Sequence, residues 1–355
     1  MRPLALAVAL LIACQPSPGA STPTAPVQGA PATQGATATP VAGASGAPVA
    51  TGWKRIADIP TPRSEVAVAT SRQTKVYVIG GFGGPERVER FDAETARWER
   101  VADLPIRVDH PMAVAVEGLQ NSSPQGVFVF GGYVGGSATA RSFRLDVDAG
   151  RWEEIAPMPG PRAAAAAAAT IGGMVYVVGG AEGGRLVAPT YEYNVNTRQW
   201  RSVAPIPTPR DHLAAVALSG KICAIGGRRL SMSLNLASLE CYDPRSDMWE
   251  RRPDAPTARG GLAAAVHGFR MYVVGGEQPS GTYREVEIFD DPTNTWSRGP
   301  DLPTPRHGLG AVVIPQSKTI AGGNVVFTSP RLLVLTGGPT PGGSQTAVCE
   351  ALDLN

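Results

Sequence analysis

Six arginines occupy one recurring place in this 355-residue chain, each opening a stretch of small residues: Arg63, Arg107, Arg162, Arg210, Arg259 and Arg306. Guanidinium groups bind carboxylates and phosphates with paired hydrogen bonds, so a ring of them is a candidate site for an anionic ligand. One arginine per unit at a fixed place also suits a structural part, bonded to backbone or to a neighbouring carboxylate. The residues that follow vary more. The first position holds Ser64, Asp109, Ala163, Asp211, Gly260 and His307, and the next holds Glu65, His110, Ala164, His212, Gly261 and Gly308. Asp109–His110 and Asp211–His212 are the same pair, and an imidazole beside a carboxylate suits acid–base chemistry near neutral pH. If these segments are strands, His307 shares the register of Asp109 and Asp211, and its side chain falls on the face opposite His110 and His212. A three-histidine metal centre is therefore not expected, and no metal or cofactor is assigned. An Asp/Asp/His cluster, or hydrogen bonds between repeats, fits this register better.

The elements that must position these residues repeat with them. Apolar runs ending in paired glycines recur as "VYVIGG" at Gly80–Gly81, "VFVFGG" at Gly131–Gly132, "VYVVGG" at Gly179–Gly180, "ICAIGG" at Gly226–Gly227, "MYVVGG" at Gly275–Gly276 and "LLVLTGG" at Gly337–Gly338. The tryptophans, Trp53, Trp98, Trp152, Trp200, Trp249 and Trp296, alternate with them, and five close an acidic or Asn-bearing turn such as "FDAETARW" or "YNVNTRQW". Short strands and glycine turns at a period near 50 residues, with no helical periodicity, mean radially repeated sheets.

The double glycine, the spaced aromatic and tryptophan, and the repeat length resemble the Kelch repeat, over residues from about 52 to 355. The resemblance implies an all-β, six-bladed β-propeller. Each blade has an inner strand after the arginine, a second ending in GG, a third ending at the acidic turn, and an outer strand carrying Trp. The last unit, "TAVCEALDLN", has no tryptophan of its own, while Trp53 precedes every inner strand. Trp53 to Ile59 is thus expected to close the sixth blade. Blade six also carries an insertion from Ile314 to Pro330.

Seven consecutive alanines, Ala163 to Ala169, have the highest helix propensity of any residue type, yet directly precede a strand signal. Their counterparts, "EVAVAT", "MAVAVEG", "HLAAVALSG", "GLAAAVHG" and "GLGAVV", are also small. Crowding at the axis of a propeller accounts for the whole set, so the run is expected to be the inner strand of blade three.

The N-terminal "MRPLALAVALLIAC" has an apolar stretch too short to span a bilayer and laid out like a signal peptide, residues 1–13. Its "LIAC" ending resembles the lipobox of bacterial lipoproteins, which implies a lipidated Cys14. Residues 14–51 are a Pro/Ala/Thr-rich tether with no aromatic and no charge, too poor in apolar surface to fold. The propeller would then hang from the extracytoplasmic side of a bacterial envelope, at the outer membrane or cell surface. Of the remaining cysteines, Cys223 and Cys241 fall on neighbouring strands and can bridge, leaving Cys349.

The net charge of +2 gives no nucleic-acid surface. No nucleophile elbow, HExxH or phosphate loop is present, and no catalytic residue is assigned. Loops before the inner strand and after the GG strand open on one face. That face gathers Arg63, Glu65, Asp109, His110, Arg162, Arg210, Asp211, His212, Arg259, Arg306 and His307 as ligand-binding candidates, with Phe82, Tyr133, Glu182, Arg228, Arg229, Glu277 and Gln278 after the glycines. The expectation is a monomeric binding module for a protein or glycan. Resemblance to N-acetylneuraminate epimerase-like propellers offers a sugar mutarotase as the alternative, with Glu65, Asp109, His110 or Asp211 as acid or base. A galactose-oxidase-like copper enzyme would need a Tyr–Cys pair that cannot be mapped onto this chain.

Overall fold

The computed structural model describes residues 52–116, 126–164, 168–171, 173–315, 317–321 and 324–354. The signal peptide, Cys14, the tether and residues 165–167 of the alanine run lie outside them.

Six antiparallel sheets, each built on four strands, follow one another along the chain. Blade one is Ala67–Ser71, Lys75–Ile79, Val88–Asp92 and Arg97–Arg100, paired in that order. Its strands show why the sequence divides them so. The innermost is made of small residues, the second is almost wholly buried, the third alternates, and the outermost exposes all but Trp98. The inner strands of blades two to six are Met112–Val116, Ala168–Ile171, Ala214–Leu218, Gly260–His267 and Gly310–Ile314. In blade three Ala168–Ile171 pairs with Met174–Val177, so the end of the alanine run is inner strand as expected, tertiary context overriding helix propensity. Its first residues, Ala163 and Ala164, are buried but precede the strand. The insertion in blade six forms a hairpin, Ser317–Ala321 with Asn324–Thr328.

Apolar side chains bury between blades rather than within one. Six core clusters each join two neighbours, for example Tyr77 and Ile79 of blade one with Val127 and Val129 of blade two. The sequence motifs act at these same joints. The indole N–H of every tryptophan donates to a carbonyl of the preceding blade's exit, as Trp98 to Ala57, Trp152 to Ala102 and Trp249 to Ala204. The second glycine of each pair donates its N–H to the next blade, as Gly180 to Arg210 O at 2.9 Å. The first glycine leaves little room for a side chain: at Gly179 φ is +65°, and a Cβ would lie 2.6 Å from Arg210 O. Blade six departs here. Thr336 (φ 50°) and Gly337 fill the two glycine places, and Gly338 pairs with His307 as Phe82 pairs with Ser64. The Thr336 hydroxyl donates to Arg63 O at 2.6 Å.

The ring closes as the tryptophan count requires. Trp53–Arg55 pairs antiparallel with Thr346–Asp353, Trp53 opposite Leu352, and the Trp53 indole donates to Pro300 O at 3.0 Å. Cys223 and Cys241 lie opposite each other on paired strands and are joined by a disulfide. Cys349 is a buried free thiol in blade six, where burial pushes its pKa up to about 11.

Candidate functional site

The arginines do not line a ligand face. Arg63, Arg162, Arg210, Arg259 and Arg306 are each no more than 1% exposed, inside their own blades. Arg63 donates to the carbonyls of Val78, Gly80 and Arg87 and pairs with Glu89 at 2.8 Å. Arg210 with Glu240, Arg259 with Glu287 and Arg306 with Glu350 repeat the arrangement. Arg162 bonds Gly179 O and lies over the Tyr191 ring, 4.2 Å from its centre. Burial lowers the Arg63 pKa, which Glu89 only partly restores, to about 10, so the guanidinium stays charged at neutral pH. The expectation of an arginine-rich binding face is corrected on this point. These side chains tie the GG strand to the third strand and offer nothing to a ligand. Arg107 is a different case. It is largely exposed and pairs with Glu86 at 2.8 Å, while Val108, fully buried, takes the repeat's arginine place. Phe143 stands opposite Val129 in blade two as Glu89 stands opposite Val78 in blade one, so blade two has exchanged the ion pair for an apolar one.

Next to these buried arginines, the chain turns through left-handed backbone in every blade. The φ angles are 52° at Glu65, 51° at His110, 58° at Ala164, 52° at His212, 66° at Gly261 and 55° at Gly308. The turn lets successive blades bond around the axis: His110 N to Glu65 O, His212 N to Ala164 O, Gly261 N to His212 O and Gly308 N to Gly261 O. Directly after this ring begins an axial tunnel of about 370 Å3, lined by Ala, Val, Leu and other small residues of the inner strands. Side chains at the turn therefore stand at the tunnel mouth. Blades five and six put glycine there and blade three alanine, whereas Glu65, His110 and His212 bring ionisable groups.

These groups form one connected network. Asp109 Oδ1 lies 2.7 Å from His110 Nδ1, and His110 Nε2 lies 3.3 Å from Glu65 Oε2. Glu65 Oε1 accepts from His307 Nδ1 at 3.0 Å, and His307 Nε2 donates to Thr340 O at 3.0 Å. Glu277 Oε2 is 3.6 Å from His307 Nδ1, and Glu277 Oε1 accepts from Arg228 NH1 at 2.7 Å. Arg228 NH2 faces His212 Nε2 at 2.8 Å, and His212 Nδ1 faces Asp211 Oδ2 at 2.6 Å. The His110 and His212 rings meet edge to face, 5.1 Å between centres. Tyr133 and Phe82 flank His110.

The partners fix the charges. Both nitrogens of His307 face acceptors, as do both of His110. Burial disfavours their cations, yet the carboxylates raise both pKa values. His212 differs, since burial and the Arg228 cation hold its pKa down despite Asp211; it donates from Nδ1 and accepts at Nε2. Burial opposes the Glu65 carboxylate, but His110 and His307 outweigh it and keep it ionised. Two groups bring donor atoms within 4.8 Å of one another, Glu65 with His110 and His212, and Glu65 with Glu277 and His307.

The register expectation for His307 is thereby corrected. These segments are isolated bridges broken by a left-handed residue, not continuous strand, so alternation does not apply and His307 meets the same glutamate as His110. The candidates Glu65, Asp109, His110, Asp211, His212 and His307 come together; the five arginines do not join them. Glu277 and Arg228, named beforehand only as residues after the glycines, are central. Their signal is the fixed place itself, because that residue bridges to the position after the arginine in each blade. Neither the bridged cysteines nor Cys349, a core residue of blade six, supplies the thiol of a Tyr–Cys pair.

No curated protein matches the chain. A family model described as the KLHDC2/KLHL20/DRC7 Kelch-repeats domain matches residues 50–227 and 122–323, more than half of the sequence. With its glycine pairs, tryptophan staples and ring of six blades, the chain belongs to the Kelch-repeat family.

Proposed function

We propose that this Kelch propeller is a protein-binding module, lipid-anchored at Cys14 on the extracytoplasmic side of a bacterial envelope, and that its partner docks at the polar axial mouth. The observation that carries this reading is the backbone at Glu65, His110 and His212. Left-handed φ costs a residue with a Cβ about 1 kcal/mol or more. The fold accepts glycine at the same place in blades five and six, so three ionisable side chains there are a burden that stability does not ask for. Strain of this kind collects at functional sites. Around the mouth, the loops after the glycines expose apolar residues, Leu230 and Leu234 in blade four and Val134 in blade two. Leu230 is joined to the cluster through its N–H to Asp211 Oδ1, 2.8 Å. These exposed apolar side chains beside the mouth are surface that a protein segment can cover, which favours a protein over a glycan.

Photo-crosslinking in cells tests the docking face. A photoreactive residue at Leu230 or Val134 is expected to give a discrete protein adduct, while one at Phe269, exposed in a hairpin between inner and second strands of blade five, gives none. Adducts from Phe269 alone contradict the assignment. In the same cells, Cys14→Ser should move the protein from the membrane to the soluble fraction; retention in the membrane contradicts the anchor.

The Asp–His pairs also supply what a mutarotase would use, an imidazole oriented by a carboxylate. The enzyme alternative rests on that geometry alone and ranks second.

A further inference from the structure

His110 and His212 are held alike, each with Nδ1 against the carboxylate of the residue before it, at 2.7 and 2.6 Å. A carboxylate at Nδ1 is the arrangement by which metal-ligating histidines are oriented. It leaves His212 Nε2 with a lone pair, whereas His110 Nε2 gives up the proton it turns to Glu65 when an ion enters. His110 Nε2 is 3.3 Å from Glu65 Oε2, and His212 brings a ring nitrogen into the same group, its donor atoms within 4.8 Å of one another. Ligands on a tetrahedral ion with bonds near 2.1 Å lie roughly 3.4 Å apart, so small side-chain movements close the set. Four carboxylates, Glu65, Asp109, Asp211 and Glu277, are bonded into the cluster, and Arg228 is its one permanent cation among the described residues. Two imidazoles and a carboxylate favour zinc-like transition ions over calcium or magnesium, which prefer oxygen ligands throughout.

We propose that Glu65, His110 and His212 bind one divalent transition-metal ion of the zinc type at the axial mouth, with Asp109 and Asp211 as the carboxylates that orient the histidines. Arg228 NH2 holds the ion's place in the metal-free form by donating to His212 Nε2, and its NH1 bond to Glu277 gives the guanidinium somewhere to stay when the ion enters. The proposal goes beyond the protein-binding reading and does not depend on it.

The test is titration of the chelator-treated full chain with Zn2+ by calorimetry and with Co2+ by absorbance. One ion per chain is expected. Asparagine tolerates left-handed backbone, so H110N/H212N should fold, shown by an unchanged melting curve without metal, and should lose the site. D109N/D211N should weaken binding 10- to 100-fold. R228Q, which removes a competing cation, should tighten it about tenfold. Absence of stoichiometric binding, its full retention in H110N/H212N, or tighter binding that fails to appear in R228Q overturns the proposal. So does loss of binding in H307N with retention in H110N/H212N, which would move the ion to the Glu277 side. Metal binding without crosslinking at Leu230 would leave this site standing while the docking reading falls.

Discussion

Arg210→Val is expected to lower the stability of the ring by about 3–5 kcal/mol, the cost of leaving one partner of a buried ion pair behind. Glu240 would remain 3% exposed with only the Thr208 hydroxyl as a strong donor, and the carbonyls of Thr208 and Ala224 would lose theirs. Blade two shows what makes the change tolerable. There the two places hold Val108 and Phe143, both buried in the apolar layer shared with blade one. The double variant Arg210→Val/Glu240→Phe should therefore recover most of the loss, because no charge is left unpaired. Urea midpoints followed by tryptophan fluorescence measure both. If the double variant is as unstable as the single, the pair contributes more than mutual charge compensation. If the single variant is near-neutral, Arg210 is not the blade-internal strut described here.

Removing the first strand is expected to be at least as damaging. A chain starting at Pro60 loses the Trp53–Arg55 pairing, the Trp53 bond to Pro300, the N–H bonds of Ile56 and Ile59 to Cys349 and Ala347, and the buried Ile59 side chain. Burial of Ile59 and Trp53 and the lost hydrogen bonds together amount to on the order of 5 kcal/mol. The truncation also bares the edge of Thr346–Asp353, a template for pairing with another chain. Size-exclusion chromatography should show association, and the melting transition should fall well below that of a chain starting before Gly52. A truncated chain that stays monomeric with an unchanged transition would contradict closure by the N-terminal strand.

What the sequence makes legible follows from where the constraints are local. The GG pairs, the tryptophans and the small inner strands each answer to one steric or hydrogen-bonding demand repeated six times, so spacing alone reveals the ring and the place of Trp53. The arginines are harder because their glutamate partners lie 26 to 44 residues away. Yet a signal exists: Glu89, Glu240, Glu287 and Glu350 recur at one third-strand place, and that place changes to Phe143 and Tyr191 in the blades where the arginine is absent or stacked. The meeting of His307 with Glu65 was hidden by applying strand alternation across a kink. Gly261 and Gly308 at the equivalent position were the local sign of that kink, since glycine is the default residue for positive φ. Arg228 and Glu277 hold the periodic place after the glycines, but the bond that joins them runs between blades, and spacing does not show which residues meet there.

The central claim is that the axial cluster is kept for binding and not for holding the ring together. Melting of the triple variant Glu65→Gly, His110→Gly and His212→Gly addresses it most directly. The variant copies blades five and six at all three places, and Asp211 retains Arg228 and the Leu230 N–H, while His307 retains Thr340 O and Glu277. Relief of left-handed strain should offset the lost contacts, so the account predicts a melting temperature within about 2 °C of the parent or above it. A fall of roughly 10 °C would make the cluster a structural fastener and contradict the account.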